Sequence, residues 1–249
     1  MKRNRYFINT TDDYHIHHLT SLGWELTVCN ALADDRSPCR KALQMNASYG
    51  EHLCRFLEKH ITLSAMKSIL EVGGGLGYLM RDFLMRYPQT QATMLDISPY
   101  LLQVQKKTLA DYPVTFQTMD FLQTRPEDLR RFDLVILNEN LGDFPTLVCK
   151  TNTDGRGASE YAPVSLVNRL DHYLDRYGFS FAPSENINIG ALDIVDKLTQ
   201  SNVPCIYLSE HSCEASPQAD LASALKICPS GNPERIALKG HAEYTIKFS

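Results

Sequence analysis

The segment Ser68–Tyr87 constrains this chain more than any other. An apolar run, Ser68–Val72, ends in Gly73-Gly74-Gly75-Leu76-Gly77, and Tyr78–Tyr87 reads as a helix stopped by Pro88. Strand, glycine turn and helix in that order begin a βαβ unit, because glycine lets the backbone turn sharply and approach a ligand closely. The alternation continues. Ala92–Leu95 is a second predicted strand, and Pro99–Leu109 a helix with Ser98 as N-cap and Pro99 at its first position. Val114–Thr118 and Phe132–Leu137 are the third and fourth strands. Short, continuous apolar strands between helices predict a mostly parallel sheet covered on both faces, the doubly wound α/β architecture.

The flanks are less regular. Residues 1–45 read as an N-terminal extension, polar and irregular apart from a helix near His18–Leu32. Apolar positions at helical spacing predict an amphipathic helix over Ser48–Lys59, so the main domain is drawn from 46 to 249. After Asn138 comes a turn-rich stretch, Thr151–Ala158, and helices over Val164–Tyr177 and Gly190–Gln200. A plain crossover needs only about a dozen residues, so 139–202 is expected to be a helical, substrate-facing insertion before a fifth strand, Val203–Leu208. Arg235–Leu238 and Tyr244–Phe248 are predicted to close the chain as an antiparallel hairpin.

Composition removes several function classes. With 43% hydrophobic and 22% charged residues, the 249-residue chain is neither disordered nor fibrous. A formal net charge of -4 gives no basic surface for nucleic acid, and no run approaches the roughly 18 apolar residues of a membrane span. Seven cysteines, none in a Cys-x-x-Cys pair, argue against a disulfide framework and a thiolate metal site, and for a reducing, cytoplasmic compartment. His15, His17 and His18 are expected to be solvated rather than metal ligands. His211 and Cys213 are read as a chance pairing.

Which ligand the glycine loop holds follows from what it lacks. A dinucleotide fingerprint would need glycine where Tyr78 stands, and a phosphate-cradling loop would need Gly-Lys-Ser/Thr. The spacing present, Glu71-x-Gly73-x-Gly75-x-Gly77, resembles motif I of the class I S-adenosylmethionine-dependent methyltransferases, whose fold is of this Rossmann-like type. Asp96 ends the second strand, where a carboxylate can accept both ribose hydroxyls. The resemblance implies that Asp120, after the third strand, accepts from the adenine amino group and that Glu71 contacts the methionine amino group. Gly73, Gly74, Gly75, Gly77, Ile97, Phe121 and Asn138 complete the expected cofactor site, with S-adenosylhomocysteine as product.

Further wording narrows the resemblance. Asp96-Ile97-Ser98-Pro99-Tyr100-Leu101-Leu102-Gln103-Val104-Gln105, Asn138-Glu139-Asn140-Leu141-Gly142-Asp143-Phe144-Pro145 and Glu243-Tyr244-Thr245-Ile246-Lys247-Phe248 resemble segments of the MidA-like family, which includes the mitochondrial complex I assembly methyltransferase. That resemblance implies methylation of a protein side chain, arginine in particular. Two departures fall at the substrate end: the acid Asp143 is displaced by one residue, and Ser209-Glu210-His211 replaces Asp-Tyr-Gly. The relatives also continue beyond the last matched segment, so either the sheet closes with this short hairpin or its last strands are missing.

A nitrogen acceptor must shed a proton as it is methylated, so a carboxylate beside it is useful. Glu139 is expected to orient or deprotonate the acceptor, with Asn138 holding it through its amide oxygen and Asp143 and Glu210 as further candidates. Tyr49 either covers the cofactor or anchors its helix. A small-molecule methyl acceptor, and a catalytically silent assembly factor that only binds cofactor, are the alternative readings.

Overall fold

The computed structural model describes residues 6–20, 27–43, 45–149, 162–178, 186–210, 234–238 and 242–246. The chain opens with β1 (Tyr6–Asn9), a π-helical turn at Tyr14–His18, and short helices α1 (Val28–Ala31) and α2 (Pro38–Leu43). The helix expected near His18–Leu32 is therefore reduced to the turn and α1, with residues 21–26 outside the described residues. α3 (Tyr49–Leu57) starts at a capping box: the Ser48 hydroxyl accepts from Glu51 N and Ser48 N donates to the Glu51 carboxylate, each at 3.1 Å.

Next come β2 (Ser68–Val72), α4 (Tyr78–Arg86), β3 (Gln91–Asp96), α5 (Pro99–Thr108), β4 (Val114–Thr118), α6 (Pro126–Leu129) and β5 (Leu134–Asn138). Each sequence-predicted element in this stretch is present, within two residues of its expected ends. Ser98 caps α5 from its side chain, 3.3 Å from Leu101 N, with Pro99 at the first position. β6 (Thr146–Cys149), α7 (Val164–Tyr177), α8 (Ile189–Ser201) and β7 (Cys205–Ser209) follow, then β8 (Glu234–Leu238) and β9 (Ala242–Ile246), an antiparallel pair where the terminal hairpin was predicted. The turn-rich stretch Thr151–Ala158 lies outside the described residues.

Five parallel strands form the central sheet in the order β4-β3-β2-β5-β7. Alternate residues serve opposite faces. Ile69, Met94, Leu134 and Ile136 join α3 and α4 in one core, and Leu70, Leu95, Val135 and Leu137 join Ile194 and Leu198 of α8 in the other. That is why the strands read as unbroken apolar runs. It also places α8 in the layer architecture, so among the described residues of 139–202 it is β6 and α7 that are additional to a plain crossover. The strand order reverses between β2 and β5, and the crevice beyond their carboxyl ends is where such a sheet binds ligands.

A third core lay hidden in the sequence. β1 pairs antiparallel with β6, and Tyr6, Leu147, Leu170, Tyr173 and Ile187 pack together beside the sheet. Helices α7 and α8 are further joined by Tyr173–Asp193 and Tyr177–Asp196 hydrogen bonds of 2.6 and 2.9 Å. No helix among the described residues is long and apolar enough to cross a membrane.

Candidate functional site

A cavity of about 630 Å³ opens at the switch point, within the usual range for a small-molecule site. Its floor is the glycine loop. Gly73, Gly75 and Gly77 take φ of +62, +53 and +84°, the left-handed region that other L-residues enter at a cost. Gly73 is doubly required, since a Cβ there would fall 2.5 Å from Asn140 Nδ2.

Every cofactor residue expected from the sequence lies on this cavity except Gly77, whose role is to turn the chain into α4. Asp96 is buried; its Oδ1 accepts from Ser98 N and its Oδ2 from Gln105 Nε2, both at 2.9 Å. Burial pushes its carboxyl up to about 6, against those two hydrogen bonds. One donor per oxygen fixes the carboxylate and leaves each oxygen a lone pair for a hydroxyl. Asp120 is oriented by Leu122 N, 2.8 Å from Oδ1, beside an apolar wall that includes Leu101, Met119 and Phe121.

Glu71 lies under the loop on the face covered by α3 and α4, only 2% exposed, and its Oε2 meets no hydrogen-bond partner. Burial first, then the charges of Asp96 and Asp82, push it up to about 8. An acid raised in this way stays protonated in the folded protein where the unfolded chain has already lost its proton. Its contribution to stability is therefore whole below about pH 4.5 and disappears as pH rises through about 8. Glu71→Gln should stabilise the ligand-free protein against thermal unfolding near pH 9, by on the order of a few kcal/mol at most, and change little near pH 5. A pH-independent difference in thermal unfolding would refute this.

The acceptor end differs from expectation. Asn138 does not offer its amide oxygen: that atom accepts from the hydroxyls of Tyr49 at 2.9 Å and Ser209 at 2.8 Å, with Tyr207 at 3.5 Å. Through those bonds Asn138 braces the end of β5 against α3 and β7. Tyr49, buried in this network and off the cavity wall, anchors its helix rather than covering a ligand. Glu139 follows with φ +57°, a left-handed backbone that a glutamate holds only under strain, and its carboxylate oxygens are buried. The Glu139 charge reaches Cys29, whose thiol is pushed well above its usual value by burial first and by Glu139, Glu71 and Asp82. Cys29 thus remains a neutral thiol. Asp143 stands at the mouth, and Glu210 Oε2 accepts from Gly142 N at 2.7 Å.

The roof is the part the sequence reading missed. Thr10, Thr11, Asp12 and His15 line the cavity from the N-terminal segment, and Thr27, Cys29 and Asn30 line it around α1. The Thr11 hydroxyl donates to the Asp143 carbonyl at 2.7 Å, and His15 Nε2 lies 3.7 Å from Asp143 Oδ1. His15, expected to be solvated, is only 16% exposed in its side chain. Asn140 was also passed over, although it stands between two assigned residues. No residue type or spacing marks these positions; Thr10, Thr11, Asp12 and His15 stand on the cavity just after β1, which pairs with β6. Around the cavity stand Asp12, Glu71, Asp96, Asp120, Glu139, Asp143 and Glu210, with no lysine or arginine among the described lining residues. No group of three metal-ligating side chains lies together among the described residues.

Comparison with known proteins places this geometry. Residues 70–148 match the family model of a methyltransferase domain. A malonyl-[acyl-carrier protein] O-methyltransferase of Anoxybacillus flavithermus is 33% identical over 72 residues, 29% of this chain and 27% of that protein. One from Ilyobacter polytropus is 36% identical over 72 residues, 28% of this chain and 26% of that protein. The chain thus matches about a quarter of the length of these relatives. The solved structure of StiE O-MT residues 942–1257 is 19% identical, with 53% of this chain and 48% of that one covered, at a TM-score of 0.37.

Proposed function

We propose that this protein is an S-adenosylmethionine-dependent methyltransferase acting on a nitrogen of a protein side chain, arginine in particular. The observation that carries the first half is the cavity at the switch point, its glycine floor followed by Asp96 and Asp120 at successive strand ends. The residues fit the cofactor: two buried acceptors, Glu71 Oε2 and Asn140 Oδ1, lack a donor, and the apolar wall beside Asp120 suits a base. When bound, S-adenosylmethionine supplies a sulfonium methyl group to an in-line nucleophile. Asp96 would hold the ribose hydroxyls, Asp120 the adenine amino group, and Ile97 and Phe121 the faces of the nucleoside.

The acidic lining favours a cationic or neutral nitrogen acceptor over an anion. By their names, the relatives act on a malonyl group on acyl-carrier protein; a carboxylate entering here would meet like charges and, among the described lining residues, no arginine or lysine. The resemblance to the MidA-like family supports a guanidinium, which a carboxylate can pair with and orient. Glu139 would take the acceptor proton, with Asp143 at the mouth. The four described free cysteines, Cys29, Cys39, Cys54 and Cys205, accord with a reducing compartment such as the cytoplasm.

Tritium transfer from labelled S-adenosylmethionine into a cell lysate tests the reading. Label in protein that hydrolyses to methylarginine is the expected result. Label only in the small-molecule fraction overturns the protein acceptor. Binding of S-adenosylhomocysteine without any transfer leaves a silent cofactor-binding protein, and no binding even at millimolar concentration sinks the whole assignment.

A further inference from the structure

We infer that Asn140 is a positioning residue for the cofactor: its Oδ1, with Glu71, receives the ammonium of the amino-acid tail. The inference rests on the methyltransferase reading and names a residue that neither the motif spacing nor the resemblance assigned. Asn140 is 8% exposed and lines the cavity. Its Nδ2 donates to the Val72 carbonyl at 2.6 Å, which fixes the amide, because a flipped side chain would set two oxygens face to face. Oδ1 is then held without a donor.

Glu71 Oε2 is in the same condition. The two side chains crowd successive glycines of the loop: a Cβ on Gly73 would fall 2.5 Å from Asn140 Nδ2, and one on Gly74 2.9 Å from Glu71 Cδ. Two buried acceptors, one of them an acid, call for a small cation with several N–H donors. On the cofactor, the sulfonium carries no N–H, and the adenine amino group is neutral and belongs beside Asp120. The ammonium is the group that remains.

Calorimetry with two ligands tests this: S-adenosylhomocysteine, and 5′-methylthioadenosine, which keeps the nucleoside thioether and lacks the tail. Asn140→Ala should weaken S-adenosylhomocysteine about 10- to 100-fold, as for loss of a hydrogen bond to a charged group, and leave 5′-methylthioadenosine within about two-fold. Asn140→Ser, a smaller polar residue that lacks the amide oxygen, should show the same selective loss. Unchanged binding of S-adenosylhomocysteine, with or without an altered KM for the acceptor, overturns the inference alone. Equal losses for both ligands also overturn it, since a residue that reads the tail cannot act on a ligand without one. A wild-type protein that binds neither ligand overturns the methyltransferase reading and this inference together.

Discussion

Glu139→Gln should lower turnover by about 100- to 10,000-fold, the range for removal of a general base, while S-adenosylhomocysteine binds within about two-fold of wild type. The carboxylate follows β5 directly, lies on the cavity, and projects its charge toward Cys29 and the Tyr49–Tyr207 pair. Glutamine keeps the shape and removes the charge. Glu139→Gly is the informative companion. At φ +57° glycine relieves the strain that glutamate bears, so that variant should be close to neutral in thermal unfolding yet equally inactive. Full turnover in either variant would show that Glu139 is a structural acid and move the proton acceptor to Asp143 or Glu210.

The second large effect is expected at Gly73. Valine there must hold φ near +62° with a branched Cβ 2.5 Å from Asn140 Nδ2. The backbone strain alone costs about 1–3 kcal/mol, and relief by moving Asn140 would break its bond to Val72. Gly73→Val should therefore melt well below wild type and lose S-adenosylhomocysteine and 5′-methylthioadenosine alike. Gly77→Ala provides the contrast: its Cβ would meet nothing closer than 3.5 Å, so backbone strain at φ +84° is the main cost. A Gly73→Val protein with wild-type melting and nucleoside affinity would refute the close approach.

What the sequence made legible follows from how local each signal is. β2 through β5 and helices α4 and α5 were readable because Gly73–Gly77, Ser98-Pro99 and Pro88 mark their ends and the apolar runs mark burial on two faces. Asp96 and Asp120 could be placed on the cavity because a strand end is a position along the chain. The acceptor side was not legible in this way. Asn138 stands at a strand end as expected, yet hydroxyls from Tyr49 and Ser209, 89 and 71 residues away, claim its amide oxygen. β1 is a four-residue strand whose partner lies at the far end of the cofactor half, so no local pattern announces it or the roof it carries. Asn140 illustrates a third limit, because only the bond from Nδ2 to Val72 reveals which amide atom is left without a donor.

The pairing of β1 with β6 also sets an order of events. The hydroxyl of Thr11 and the carbonyl of Asp143 are separated by 132 residues, a contact of high sequence separation whose loop-closure entropy must be met before it contributes anything. The parallel strands β2 to β5 come from the intervening sequence and can assemble first. On that ordering β1 and Thr11 are among the last to dock, and refolding should restore the sheet before it restores the cavity wall that they complete.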